Sequence, residues 1–222
     1  MTSPERGRFI VLEGGDGVGK TTQAALLSTW FTALGLPHIS TREPGGTPVG
    51  EAIRELVLGR NDLDIPAESE LLLILAARAA FVRDVVKPAL EAGKIVLADR
   101  FSLSTLAYQG YGRGLDLERV REGIRISTGG LEPDLVLVLD LPADEGHERQ
   151  RTDGLAVDRI EAEGKAFRDL VRDGYLALAE SEAGVEVVSA RGAPEEVHAR
   201  IRDRLAARMP TTFPPVERPK QE

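Results

Sequence analysis

The feature that most constrains this chain is a glycine-rich octapeptide, Gly14-Gly15-Asp16-Gly17-Val18-Gly19-Lys20-Thr21, set directly behind the apolar run Phe9-Ile10-Val11-Leu12. Its spacing is G-x-x-x-x-G-K-[ST]. Between a buried strand and a helix, such a loop turns consecutive backbone N–H groups toward a polyphosphate, while the positive helix end and Lys20 compensate its charge. Thr21 is then placed to ligate Mg²⁺. The residues behind the loop agree: Leu27, Trp30, Phe31 and Leu34 recur at helical spacing, and Gly35 with Pro37 after it supplies a stop. The loop points to nucleotide use and leaves the reaction open.

With 222 residues and no interior stretch that pairs Pro, Gly and Ser richness with a loss of apolar content, one large domain is expected. The formal charge of −8 disfavours a broad nucleic-acid surface, so the phosphate ligand is expected to be small. The lack of cysteine excludes disulfides and thiolate metal sites and fits a reducing compartment, with cytoplasm as the default. Residues 1–8 read as a polar extension and 9–208 as the domain. The Pro-rich stretch 209–222 reads as a flexible tail. The first strand is too short for a signal-peptide core or a membrane span, and no membrane partner is expected.

Short apolar runs alternate with longer helical patterns. Strands are expected at 9–13, 38–41, 94–98, 134–140 and 185–189. Helices are expected at 22–34, 67–90, 116–127, 143–151, 160–179 and 194–208. A further helix starts at Thr47-Pro48, with Val49, Ile53, Leu56 and Val57 as its buried face and Gly59 as its end. This alternation predicts an α/β fold with a parallel sheet and helices on both faces, and ligands at the carboxyl ends of the strands. The segments there are the glycine loop, Arg42-Glu43-Pro44-Gly45-Gly46-Thr47, and Asp99-Arg100.

Three groups of charges stand in unexpected places. Arg78 is the one charge between Leu71 and Val82, one helical turn from Ile74, and needs a carboxylate or a ligand as partner. Arg100 comes after a buried strand, where a guanidinium either binds an anion bidentately or pairs with neighbours. If Ser102 begins a helix, Ser104 and Tyr108 share one face and Thr105 and Gln109 the next. Arg149 and Arg151 fit a solvated helix end or, in a phosphoryl-transfer enzyme, a mobile segment that brings arginine to the transferring phosphate.

Taken in order, G-x-D-G-x-G-K-T-T-Q, T-R-E-P-G-G-T, D-R-F-x-x-S-T-L-A-Y-Q-G-Y-G-R-G, D-L-V-L-V-L-D-L-P and D-R-I-E resemble bacterial thymidylate kinase from about residue 8 to 208. The resemblance implies a three-layer P-loop NTPase fold with five parallel strands and a short lid at about 149–158. It implies transfer of the γ-phosphoryl of ATP to dTMP, with Mg²⁺, in a homodimer. Gly14 to Thr22 would hold ATP, Lys20 would stabilise the transferring group and Thr21 would hold Mg²⁺. Asp16, odd in an anion site, would face the acceptor's 3′-hydroxyl. Arg54 and Arg100 would hold the acceptor phosphate with Glu43 nearby, and Arg78, Thr105 and Gln109 would read thymine. Ser104 would stand in the same wall, and Tyr108 would exclude a 2′-hydroxyl. Lys20, Arg100, Arg149 and Arg151 would be catalytic.

The chain departs from the family at Ile74, where a phenylalanine commonly stacks on thymine, and at Ser189, where an aspartate is usual beside Arg191. Two competing readings are a kinase for another small acceptor and a nucleotide-dependent switch. The N-K-x-D segment of guanine-specific switches is absent.

Overall fold

Successive side chains of a strand point to opposite faces, so a strand that is apolar at every position must be covered on both. The strand β1 (Phe9–Glu13), apolar from Phe9 to Leu12, is of this kind. In a computed structural model that describes residues 6–152, 158–160 and 162–214, Phe9 and Val11 enter one core with Phe81, Phe101 and Tyr175. Ile10 and Leu12 enter the other, with Leu27, Phe31 and Ile201. The strands β3 (Ile95–Asp99) and β4 (Leu135–Asp140) alternate in the same way, while β2 (His38–Arg42) and β5 (Val185–Ser189) are half-buried. All pairings are parallel, in the order β2-β3-β1-β4-β5. The expected α/β sheet of five parallel strands is therefore present.

Nine α-helices connect and cover the strands among the described residues: α1 (Lys20–Ala33), α2 (Pro48–Arg54), α3 (Ala67–Phe81), α4 (Lys87–Glu91), α5 (Ser102–Thr105), α6 (Leu117–Thr128), α7 (Ala143–Thr152), α8 (Lys165–Ser181) and α9 (Pro194–Arg208). Thr47 caps α2 as expected, its hydroxyl accepting from Gly50 N at 2.9 Å. A π-helical stretch, Glu55–Gly59, then carries the turn to its end at glycine.

Some expectations need correction. Val49 is 53% exposed and takes no part in the core. The expected helix 67–90 is interrupted by a π-helical segment, Val82–Val86. The last long helix before β5 starts at Lys165 rather than 160, because Gly164 is extended at its N-cap. Beyond 208 the chain still contributes to the core. Phe213 is fully buried and stacks with Trp30 and Phe31, each at 5.3 Å between ring centroids. Residues 1–5 and 215–222, where the expected extension and tail fall, lie outside the described residues, as do positions 153–157 of the expected lid.

Strand order sets the position of the site. The chain leaves β1 toward β2 but leaves β3 toward β4 on the opposite side, so a crevice opens beyond their adjacent carboxyl ends. Leu12 and Asp99 are register partners there.

Candidate active site

Two glycines shape the loop after β1. A Cβ at Gly14 (φ 130°) would lie 2.4 Å from Leu139 O, and one at Gly17 (φ 72°) would lie 2.0 Å from Gly146 O. Any side chain at either position would push the loop off β4 or α7. Val18 turns its side chain into the core at 4% exposure, so only its backbone can meet a ligand. Gly19 (φ 93°) is the N-cap of α1, which presents the free amide groups of the helix start. Lys20 Nζ donates to Gly14 O at 3.1 Å and Gly15 O at 2.6 Å, lying across its own loop. Burial, with Arg100 nearby, lowers its pKa.

Thr21 and Asp99 meet at 3.2 Å between Oγ1 and Oδ2, and both line the crevice. A hydroxyl beside a carboxylate at the phosphate end is a hard-oxygen donor set suited to Mg²⁺.

Arg100 is the only non-glycine residue with positive φ among the described residues, at 73°. Its N–H completes β1 by donating to Leu12 O at 2.9 Å, and the unusual backbone turns the side chain back over the glycine loop. Its Nη1 donates to Gly14 O and Tyr175 Oη, both at 3.1 Å, and to Ser104 Oγ at 3.2 Å. Its Nη2 donates to Asp16 Oδ1 and, at 3.1 Å, to Tyr108 Oη. Tyr108 Oη in turn donates to Asp16 Oδ2 at 2.8 Å. Burial drives the Asp16 pKa up, but Arg100 and Lys20 together hold it below the ordinary value, so the carboxylate is ionised. Asp16 thus links the glycine loop to the segment after β3.

The expected wall forms, aided by a π-helical stretch, Leu106–Gly112, that continues α5. Ser104 and Tyr108 reach Arg100, whereas Thr105 and Gln109 face α3. Arg78 is 1% exposed; it donates to Glu43 Oε2 and Thr105 Oγ1, both at 2.8 Å, and to Phe101 O at 2.9 Å. The ion pair and the cavity-lining position, alternatives in the sequence, coexist. Burial lifts the Glu43 pKa to about 7 despite Arg78. Arg54 Nη1 donates to Pro44 O at 3.1 Å.

These groups enclose a cavity of about 310 Å³. Of the expected nucleotide-site residues, Asp16, Gly17, Gly19, Lys20, Thr21 and Thr22 line its loop side; Glu43, Arg54, Ile74, Arg78, Arg100, Ser104, Thr105, Tyr108 and Gln109 line the rest. Gly14 and Gly15 border a smaller neighbouring cavity. No phenylalanine lines the main cavity among the described residues; Val57, Leu58 and Ile160 join Ile74 as an aliphatic surface. Arg149 and Arg151 stand outside it. Arg149 Nη1 donates to Ala190 O at 3.2 Å, and Arg151 pairs with Glu148 at 3.3 Å on the surface. Arg191 pairs with Glu145 at 2.5 Å.

Sequence reasoning missed Glu13, Glu70 and Tyr175. Glu13, fully buried, accepts from Phe101 N, Ser104 N, Ser104 Oγ and Tyr175 Oη. An acid closing an apolar strand was its one visible signal. Tyr175 lies on the buried face of α8, where an aromatic residue reads as core.

A family model described as "Thymidylate kinase" matches residues 12–201. Among curated proteins, the "Thymidylate kinase" of Pelotomaculum thermopropionicum is 48% identical over 194 residues, covering 87% of this chain and 90% of the relative. That of Leifsonia xyli is 49% identical over 203 residues, covering 91% and 96%. That of Thermosynechococcus vestitus is 44% identical over 224 residues, covering 96% and 92%. With the family model spanning most of the domain and relatives aligned nearly end to end, the chain belongs to the thymidylate kinase family.

Proposed function

We propose that this chain transfers the γ-phosphoryl of ATP to dTMP, giving dTDP and ADP for dTTP synthesis. The observation that carries the reading is the meeting of a donor loop and an acceptor cation: Arg100 bonds both Gly14 and Asp16 of the glycine loop while lining the same cavity as Arg54. Phosphoryl transfer needs two phosphates held in line, with charge compensation between them.

In this reading Lys20 and the start of α1 hold the donor phosphates, and Arg100 and Arg54 hold the acceptor phosphate. Asp16 receives the 3′-hydroxyl, and the Tyr108 ring, fixed through its hydroxyl, leaves no room for a 2′-hydroxyl. Arg78, Thr105 and Gln109 bind the base over the aliphatic surface that includes Ile74. Thr21 and Asp99 would hold Mg²⁺, which neutralises charge between the donor phosphates. No proton-abstracting base is required, because a phosphate monoester is largely dianionic near neutral pH. Arg149 and Arg151 belong to a lid that delivers positive charge to the transferring group. Cytoplasmic location agrees with the lack of any helix, among the described residues, long and apolar enough to cross a membrane.

A homodimer is part of the proposal. Val49, Leu72 and Ile126 are 53%, 66% and 77% exposed on α2, α3 and α6, and α3 packs against both of the others. An apolar patch of this kind suits a second copy.

The test is a coupled ADP-release assay with dTMP, dUMP, UMP and dCMP as acceptors. A marked preference for dTMP is expected; ATP hydrolysis indifferent to the acceptor would sink the proposal.

A further inference from the structure

Glu70 of α3 is 0% exposed, and a carboxylate taken so far from water must be compensated. Gln109 Nε2 donates to its Oε1 at 2.9 Å, Arg113 donates through Nε and Nη2 at 3.2 Å each, and Arg159 donates through Nη2. Burial alone would raise the Glu70 pKa, but the bonds from Arg113, Arg159 and Gln109 bring it below the ordinary value. The group is ionised and can only accept.

That fixes the amide of Gln109. A carboxylate without a proton has nothing to give the amide oxygen, so the amide nitrogen must face Glu70. The oxygen is the end left for the cavity, which Gln109 lines. The partners of the carboxylate are held in turn: Arg113 stacks on Phe167 at 4.8 Å, and Arg159 is tied to Val57 O at 2.8 Å.

We infer that Glu70 is a specificity-determining positioning residue, which by holding the Gln109 amide nitrogen turns the amide oxygen toward the acceptor base and selects a pyrimidine carrying N3–H. Thymine and uracil offer that donor. Cytosine presents a lone pair at N3, and two acceptors would then face each other. The inference rests on the proposed function, because it needs a pyrimidine nucleotide as acceptor.

The experiment compares kcat/KM for dTMP and dCMP in wild type, Glu70→Gln, and the exchange Glu70→Gln/Gln109→Glu. A glutamine at 70 both donates and accepts, so it frees the Gln109 amide to turn over. The dTMP-to-dCMP ratio should fall by about fivefold or more in E70Q, the worth of one neutral hydrogen bond. In the exchange, position 109 regains an obligate acceptor and the ratio should recover. Equal loss on both acceptors in E70Q, or no recovery in the exchange, overturns the inference. A wild type that does not prefer dTMP over dCMP overturns the proposed function instead. If E70Q does not fold by circular dichroism, the side-chain amide protons of Gln109 decide in wild-type protein, assigned by their loss in Q109E. They should stay protected from exchange when dTMP is added, because the bond to Glu70 persists, and a loss of that protection on binding would refute the inference.

Discussion

Tyr175 and Glu13 meet through a 3.0 Å hydrogen bond, although 162 positions separate them in sequence. The same hydroxyl accepts from Arg100 Nη1 at 3.1 Å, so α8 supports the guanidinium from behind while Glu13 orients the support. Tyr175→Phe removes this bridge and the 2.8 Å contact of the same hydroxyl with Ser104 Oγ. Stability should fall by about 1–3 kcal/mol, measured by urea denaturation. KM for dTMP should rise severalfold with KM for ATP unmoved. Parallel changes in both constants would contradict the assignment of Arg100 to the acceptor.

The Arg78–Glu43 pair gives a pH signature. Burial sets the Glu43 pKa at about 7 against an ordinary 4.5, and Glu43 Oε1 is buried without a hydrogen-bond partner among the described residues. A carboxyl whose pKa is raised by folding stabilises the protein fully below its unfolded value. That contribution is lost as pH rises through the folded value. Wild type should therefore lose about 2–3 kcal/mol relative to Glu43→Gln between pH 4.5 and pH 8. Melting both proteins across that range measures the difference, and superimposable profiles would refute it.

Much of the fold was legible because it rests on local rules. Short apolar runs marked the strands, and Thr47-Pro48 and Gly59 bounded a helix where expected. The cavity side of Asp16, Arg78, Arg100 and Tyr108 was legible through a motif order. What stayed hidden depends on long-range pairing. Glu70 shows nothing in its own helix to set it apart from surface acids, since its three partners lie 39 to 89 residues away. The π-helical stretches were equally hidden, because a one-residue widening of a helix leaves no periodic mark in so short a segment.

The two arginines proposed for the lid, inseparable by sequence, differ in their surroundings. Arg149 is tied to the backbone after β5, whereas Arg151 is 67% exposed and, among the described residues, holds a surface pair with Glu148. Such pairs contribute little, so Arg151 is the freer to move. Arg151→Ala should lower kcat by on the order of 10³ while both KM values change little, as for arginines that act on the transferring phosphate. Arg149→Ala should have the smaller effect. The reverse order in single-turnover kinetics would transfer the role to Arg149.

The apolar patch on α2, α3 and α6 gives the test of assembly. Among the described residues, Ile126 is 77% exposed and Leu72 66%. Leaving apolar surface in water costs about 25 cal/mol per Å², which a symmetric partner would remove twice over. Ile126→Glu places a charge in that patch with no burial cost to the folded monomer. Sedimentation velocity should show wild type at twice the monomer mass and I126E at the monomer mass, with an unchanged melting profile at low protein concentration. A monomeric wild type, or an I126E variant that still dimerises, would remove this face from the interface. Because Leu75 packs against Gly123 between α3 and α6, the charge also tests whether assembly stiffens α3, the helix that carries Glu70 and Arg78. Coupling of that kind would appear as a higher KM for dTMP in the monomer with kcat preserved.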